Sequence, residues 1–540
     1  MIPRSSPRTV LPGAEEEWAE PPGKRVLAWP WVMTGVTLAA LALRLYRLSA
    51  QSFWVDEVVT WHGAQLPLAD LLQLRGYYAM AHSLYYAVMH GVLLVSDSEV
   101  AMRLPSAFFG ALSVPLLYRV GERWLGEWTG LAAAVLLAVS PLHLHYSQEA
   151  RPYAAVLFFV LFATVCLEEA VRNPARIRGQ VGFVASTTAA LLSHPVALAF
   201  VPVSAIYAAM ARPRGALRRL RVAFAGLSII IVGFLLVLVA LPPARATNPA
   251  EAPGPFALAY IAWTFSTGFS LGPSIRELHG PDRIQVALGH APVVALSLVL
   301  FGGLVVAGAV RVWSEHRRVA GTIAGWLLLP VLFVFFGSLA THHPLNVRYV
   351  LVALPPFLLL VGSGTRVLPS GPWRAGAWAL VLGLSAASIL NYHLDPRYHR
   401  EDYRSAVRAL KAQARRGDLV MVSAPYTAVM LDYYDPGPLN VMPFGPGSPG
   451  RRRSHPSGQP SSGWRAELDR LVAGRQRFWV LISREFHGRV GEELLPYLDD
   501  RFARERDRSW AGTQLILYSV GRDRSGSEQM DAVENAPGQS

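Results

Sequence analysis

Through roughly the first 390 residues, long apolar runs alternate with short segments rich in arginine. The runs lie near residues 27–47, 100–119, 127–141, 151–170, 180–193, 195–210, 222–241, 286–310, 320–340, 347–364 and 374–391. A helix needs about 20 apolar residues to cross a bilayer's hydrocarbon core, so the pattern predicts a polytopic α-helical membrane protein with about eleven transmembrane helices. One further run, His82 to Val95, is apolar but short for a crossing and reads as an interfacial or re-entrant helix.

The arginines between the runs orient the chain. Arg119 and Arg123, then Arg172, Arg176 and Arg178, the dense stretch Arg212, Arg214, Arg218, Arg219 and Arg221, then Arg311, Arg317 and Arg318, and finally Arg366 and Arg374 all belong on the cytoplasmic side. Every second loop then faces out, with the N-terminus inside and the C-terminus outside. A crossing at 82–95 would invert every later loop, so residues 48–99 are read as one large outer loop carrying juxtamembrane helices.

Residues 1–26 are Pro- and Glu-rich and read as a disordered cytoplasmic N-terminus. Lys24 and Arg25 precede an apolar run with no small-residue cleavage pattern after it, which predicts an uncleaved first span. The membrane domain occupies 27–394. From 395 to 522 the pattern changes to that of a small soluble α/β domain. Helical periodicity over Tyr403–Ala414, Trp464–Ala473 and Val490–Tyr497 alternates with strand-like runs at Leu419–Ser423, Phe478–Ser483 and Gln514–Val520. Gly445–Gly463 reads as a mobile loop, and the tail, 523–540, as disordered.

Composition agrees with this. The 540 residues are 52% hydrophobic and 16% charged, whereas soluble domains carry about 25% charged residues. A net charge of +13 raises the possibility of a nucleic-acid partner, but the arginines sit in inter-span loops, so no nucleic acid is expected. Cys166 is the single cysteine, which excludes an internal disulfide and a Cys-based metal site.

On the outer face this topology gathers a short set of polar residues. Asp56 and Glu57 follow the first span directly, where a carboxylate is costly unless it pairs, binds a metal or moves a proton. Arg103 stands at the outer start of a span, Gln148, Glu149, Arg151 and Tyr153 follow Pro141, His194 precedes Pro195, and Arg348 and Tyr349 follow His342 and His343. Carboxylates beside arginines suit a reaction in which a base removes a proton while cations hold a phosphate leaving group. Each residue has a structural alternative. Asp56 and Glu57 also suit a solvated turn, Arg103 and Arg348 also suit snorkelling from helix ends, and His194 suits a loop hydrogen bond better than a metal. Adjacent His342 and His343 are poorly placed to share one ion.

Four segments in order carry a resemblance: Trp54-Val-Asp56-Glu57 after Leu43-Arg44, Ala101-Met-Arg103-Leu-Pro105, Ser140-Pro141 through Tyr153, and Arg348-Tyr349 through Pro356. Together they resemble the protein mannosyltransferase and aminoarabinose transferase group, integral-membrane glycosyltransferases of GT-C type, over about residues 35 to 365. The resemblance implies a multi-pass enzyme of the cell (inner or plasma) membrane. It would take a sugar from a polyprenyl-phosphate donor to a protein, lipid or glycan acceptor on the extracytoplasmic face, usually with inversion.

By the same resemblance Asp56 is the general base, Glu57 supports it or helps hold an ion, and Arg103, Arg151 and Arg348 are candidates for the carrier phosphate. Many relatives carry His-Pro-Pro where this chain has His82-Ser83-Leu84, which leaves His82 without a role. Relatives differ in metal dependence, so a divalent metal ion remains an open cofactor. The sequence has no G-x-x-x-x-G-K-[ST] phosphate loop, which fits a donor arriving through the membrane. The rival class is a transporter or lipid-carrier flippase using Asp56 and Glu57 as ion-coupling residues, but such folds show paired half-repeats and midplane acidic residues that this chain lacks.

Overall fold

The computed structural model describes residues 29–73, 77–173, 176–210, 218, 220–240, 256–279, 282–341, 345–423, 425–434, 437, 439–443, 464–483 and 493–520. The N-terminal stretch 1–26, His342 and His343, the loop Gly445–Gly463 and the tail 523–540 lie outside the described residues.

Each of the eleven predicted segments contains a helix. Six are long and apolar enough to cross a membrane on their own, Glu99–Leu125, Tyr153–Arg172, Ala291–Glu315, Arg317–Ala340, Val347–Gly364 and Pro372–Leu394. A seventh crossing arises if the bent pair Glu127–Ala138 and Pro141–Ser147, angled by 56°, is one span. Residues 30–45, 195–210 and 221–237 form shorter apolar helices. The outward faces carry large exposed apolar side chains such as Ile229, Val299, Val310, Phe336 and Trp373, as lipid contact requires.

In chain order the first elements are α1 (Trp29–Leu45), α2 (Val55–Ala64), α3 (Leu68–Leu72), α4 (Tyr77–Leu93), α5 (Glu99–Leu125), α6 (Glu127–Ala138), α7 (Pro141–Ser147), α8 (Tyr153–Arg172) and α9 (Ile177–Ser193). The segment 48–99 therefore holds α2, α3 and α4. The run read as a helix over 82–95 begins earlier, at Tyr77, and breaks from helical geometry at His82, with φ −138° and ψ 21°.

The bend between α6 and α7 has a local cause. Ser140 caps α7, accepting from the His143 N–H at 3.3 Å, and Pro141 opens the helix where no N–H is needed. The carbonyls left at the end of α6 are taken by Arg44, fully buried, which donates to Leu137 O and Ala138 O at 3.2 Å each and to Ser147 Oγ at 3.3 Å. A Cβ on Gly110 of α5 would stand 2.2 Å from Ser147 Oγ, so only glycine lets α5 approach α7 this closely. The bend delivers Gln148 to Arg151 to the end of the bundle beside α2.

Several boundaries differ from the sequence pattern. The run 286–310 splits into Arg283–Gly289 and Ala291–Glu315, because Pro292 opens a new helix. The runs at 195 and 347 open as 3₁₀ turns, Pro195–Ala199 and Val347–Ala353. A helix at Phe256–Thr267, too short to read as a span, is an addition.

In the C-terminal part, β1 (Leu419–Val422), β2 (Asn440–Pro443), β3 (Arg477–Ser483), β4 (Ala503–Trp510) and β5 (Thr513–Ser519) form one sheet of order β2-β1-β3-β5-β4. The β1 pairings are parallel, and β5 pairs antiparallel with both β3 and β4. Alternate strand residues face two cores. Val420, Val422, Trp479 and Leu481 meet Ala406, Val407 and Leu410 of the helix Tyr403–Gln413, while Met421, Phe478, Val480 and Ile482 meet Leu468 and Val472 of Trp464–Val472.

The α/β reading holds, with β2, β4 and the helix Pro425–Tyr434 as elements the pattern did not reveal. β4 is a strand of charged residues on the sheet edge, Arg504 to Arg508, so it lacks an apolar alternation to read. The helix expected at Val490–Tyr497 lies at Leu495–Arg501.

Candidate active site

The first turn of α2 brings Asp56 and Glu57 to the end of the bundle, but sends them to different surroundings. Glu57 turns inward and is fully buried. Its Oε1 accepts from Arg103 Nε and from the Ala150 N–H at 2.8 Å each, and its Oε2 accepts from Arg103 Nη2 at 2.8 Å and Arg400 Nη1 at 3.3 Å. It also accepts from the Trp54 N–H at 3.4 Å, capping its own helix. A buried carboxylate with this many donors is a joint, not a free base.

Arg103 is used up in the same way. Besides Glu57, its Nη1 donates to Leu48 O and Gln51 O at 2.8 Å each and its Nη2 to Ser52 O at 3.1 Å. All five N–H groups of the guanidinium thus have protein acceptors. Gln148 is likewise a pin, donating to Arg44 O at 2.8 Å and Tyr46 O at 2.9 Å.

Glu149 accepts from Arg400 Nη2 at 2.8 Å and lies 3.1 Å from His145 Nε2. Burial alone would raise its pKa, but the Arg400 guanidinium, His145 and Arg348 hold it below the ordinary carboxylate value. Arg400 itself stands above its usual value, because Glu149, Tyr392 and Glu57 outweigh its own burial.

Asp56 faces the other way. Its carboxylate pairs with Arg348 Nη1, and both side chains keep some exposure, 25% and 19%. Arg348 Nη2 donates to the Tyr349 hydroxyl at 3.2 Å. Arg151 donates through Nη1 to the Asp56 carbonyl at 3.1 Å and to Thr60 Oγ1 at 3.0 Å. The guanidinium carbons of Arg151 and Arg348 each lie 5.8 Å from the Tyr153 ring, and that of Arg348 lies 6.0 Å from the Trp54 ring. Arg151 Nε, Arg348 Nε and the Tyr153 hydroxyl are buried and make no hydrogen bond with the described residues. Three donors of this kind around one aromatic ring suit an anion.

His194 and His82 flank the same ring system. His194 accepts the Val196 N–H at 3.1 Å, and its ring lies 5.4 Å from that of Tyr153, 5.6 Å from Tyr349 and 5.0 Å from His82. His82 donates through Nδ1 to Ser193 O at 3.1 Å if that nitrogen carries the proton. Burial and the charge of Arg151 push His82 down to about 3, and burial, His82 and the two arginines hold His194 well below its usual value. Both rings are therefore neutral near pH 7.

The structure thus brings Asp56, Arg151, Tyr153, His194, Arg348 and Tyr349 together, and sets Glu57, Arg103, Gln148 and Glu149 in the buried network behind them. Sequence reasoning missed Arg400, which joins that network from the far side of the last span, and His145, hidden in an apolar helix. Among the described residues no three His, Cys, Asp or Glu side chains converge as a metal-ion site. The carboxylates present face guanidinium groups, so these residues do not fit the divalent ion that the resemblance left open.

Comparison with known proteins bears on the class. Over residues 83–241 the sequence matches the family described as dolichyl-phosphate-mannose-protein mannosyltransferase. No curated protein matches the chain in sequence. In structure it is similar to the oligosaccharyltransferase of Archaeoglobus fulgidus in the apo form, with TM-score 0.52 and 13% identity over 92% of this chain and 75% of that one. The same enzyme tethered with an acceptor peptide containing the NVT sequon gives TM-score 0.51 and 12% identity over 92% and 74%. ArnT from Cupriavidus metallidurans bound to undecaprenyl phosphate is similar at TM-score 0.49 and 14% identity, over 91% and 98%.

The chain is a multi-pass membrane protein with the GT-C fold of membrane-embedded glycosyltransferases. Within that class its sequence is similar to the protein mannosyltransferases.

Proposed function

We propose that the chain transfers a sugar from a polyprenyl-phosphate donor to a hydroxyl of a protein, lipid or glycan acceptor at the extracytoplasmic face, with inversion at the anomeric carbon. The observation that carries this reading is the pairing of a partly exposed Asp56 with Arg348, backed by Arg151, at the end of the bundle. The family matched over 83–241 is named for a dolichyl-phosphate sugar, which supports a lipid-phosphate donor.

In this reading Asp56 takes the proton of the acceptor hydroxyl as its oxygen attacks the anomeric carbon. The bond from that carbon to the phosphate oxygen breaks, and the lipid phosphate leaves as an anion between Arg151 and Arg348. The rings of Trp54, Tyr153 and Tyr349 surround the Arg348 guanidinium, whose carbon lies 6.0, 5.8 and 5.1 Å from them. Purified protein in nanodiscs should release sugar from a polyprenyl-phosphate sugar only when an acceptor is supplied. A deletion strain should accumulate the lipid-linked sugar, read by mass spectrometry. Movement of intact lipid-linked sugar across the bilayer without cleavage would favour the flippase reading.

The proposed arrangement has the membrane domain at 27–394, its outer loop at 48–99 and the α/β domain at 395–522, outside. The exposed residues Gln65, Arg416 and Ser314 report on it. In a background with Cys166 replaced, cysteines at 65 and 416 should react with an impermeant thiol reagent in intact cells, and one at 314, beside Arg311, Arg317 and Arg318, should stay unlabelled. Labelling at 314 alone would reverse the orientation.

A further inference from the structure

Arg400 lies in the joint between the last transmembrane helix, Pro372–Leu394, and the helix Tyr403–Gln413 that opens the α/β domain. Its side chain is 9% exposed and bridges two buried carboxylates from separate parts of the membrane domain, Glu57 at 3.3 Å and Glu149 at 2.8 Å. Its backbone N–H donates to Gln51 Oε1 at 3.0 Å. The neighbouring residues hold the same loop. The Glu401 carbonyl accepts from Ser52 Oγ at 2.7 Å, and Arg404 donates to Ser49 O at 2.9 Å and to Gln51 O at 3.2 Å and pairs with Glu99. Tyr434 donates to Glu99 at 2.6 Å and accepts the Phe53 N–H at 2.7 Å.

The segment 48–53 is therefore gripped by Arg103 from the membrane domain and by Arg400, Arg404 and Tyr434 from the α/β side. It leads straight into Trp54 and Asp56. The guanidinium carbons of Arg400 and Arg348 each lie 6.0 Å from the Trp54 ring, so that indole neighbours both the buried network and the proposed reaction site. The charges also match across the joint. Arg103 balances one of the two buried glutamates and Arg400 the other, and a buried carboxylate without its cation must neutralise or move.

We infer that Arg400 is a positioning residue: by seating it between Glu57 and Glu149, the α/β domain sets the loop and first turn of α2 so that Asp56 can meet the acceptor hydroxyl. The α/β domain is then part of the machinery for turnover and not a passive cover. This rests on the reading of Asp56 as the base.

The test uses full-length Arg400→Gln and Arg400→Lys in nanodiscs, with a polyprenyl-phosphate sugar as donor. In Arg400→Gln, kcat should fall ~10-fold through misplacement of the base while KM for the donor is unchanged. Arg400→Lys should recover part of kcat, because an ammonium restores the charge but not the two-sided bridge. Wild-type kcat in folded Arg400→Gln overturns the inference, and so does a loss confined to KM. If Arg400→Gln fails to fold, Arg400→Lys decides alone: reduced kcat at constant KM supports the inference, and wild-type kcat overturns it. A wild-type protein that transfers no sugar from lipid-linked donors fails the functional reading instead.

Discussion

Asp56→Asn should lower sugar transfer by ~10² to 10⁴-fold, the usual contribution of a positioned base, while leaving the protein folded and the lipid donor bound. The amide keeps the shape of the carboxylate and an oxygen that Arg348 can still meet, but it cannot accept the acceptor's proton. The cost in stability is small by comparison. The Asp56 and Arg348 side chains are 25% and 19% exposed, and a pair of that kind contributes on the order of 1 kcal/mol, with a similar or smaller share from the carboxylate at the start of α2. Turnover under single-turnover conditions, donor affinity and melting temperature, measured on the same preparation, separate the two effects. Turnover near wild type would remove Asp56 from the mechanism.

Its neighbour should behave in the opposite way. Glu57 is fully buried and accepts from Arg103, Arg400 and the Ala150 N–H. Glu57→Gln removes the nearest counter-charge of the buried Arg103 and leaves it only Glu99 at 3.9 Å, and breaking a buried pair costs about 3 to 5 kcal/mol. The expected result is a large drop in melting temperature and yield, read by thermal unfolding in detergent. A stable, fully folded Glu57→Gln with transfer abolished would move the base to Glu57.

Sequence alone distinguishes these adjacent carboxylates poorly, and the reason is geometric. Both stand at the start of α2, and a helix turns by about 100° per residue, so one points to the bundle and the other to the opening. The membrane segments were legible because twenty apolar residues in a row have few other fates. The convergence of Asp56, Arg151 and Arg348 was legible because the alternation of basic loops assigns their connecting segments to one face. What each guanidinium bonds to was not. Arg103 and Arg348 look alike as charges near helix ends, yet Arg103 spends its donors on Glu57 and on the carbonyls of the loop before α2, while Arg348 Nε has no partner among the described residues. Arg400 was invisible for a different reason. Its partner Glu57 is 343 residues away in the chain, and nothing local marks the joint before Tyr403 as part of a site.

Arg348 provides the last separation, between a phosphate clamp and a snorkelling side chain. Its Nη1 meets Asp56, its Nη2 meets Tyr349, and its Nε has no partner among the described residues. If the free edge of this planar group engages the departing phosphate, Arg348→Ala should cost ~10² to 10³-fold in turnover, as loss of one charge-stabilising donor does in comparable sites. Arg348→Lys should remain well below wild type, because an ammonium supplies point charge without the fork that spans a carboxylate and a phosphate together. A side chain that merely reached out of the bilayer would tolerate Lys. Turnover and donor affinity in nanodiscs decide between these. Unchanged values for both variants, with melting also unchanged, would make Arg348 a helix anchor and place the phosphate on other residues.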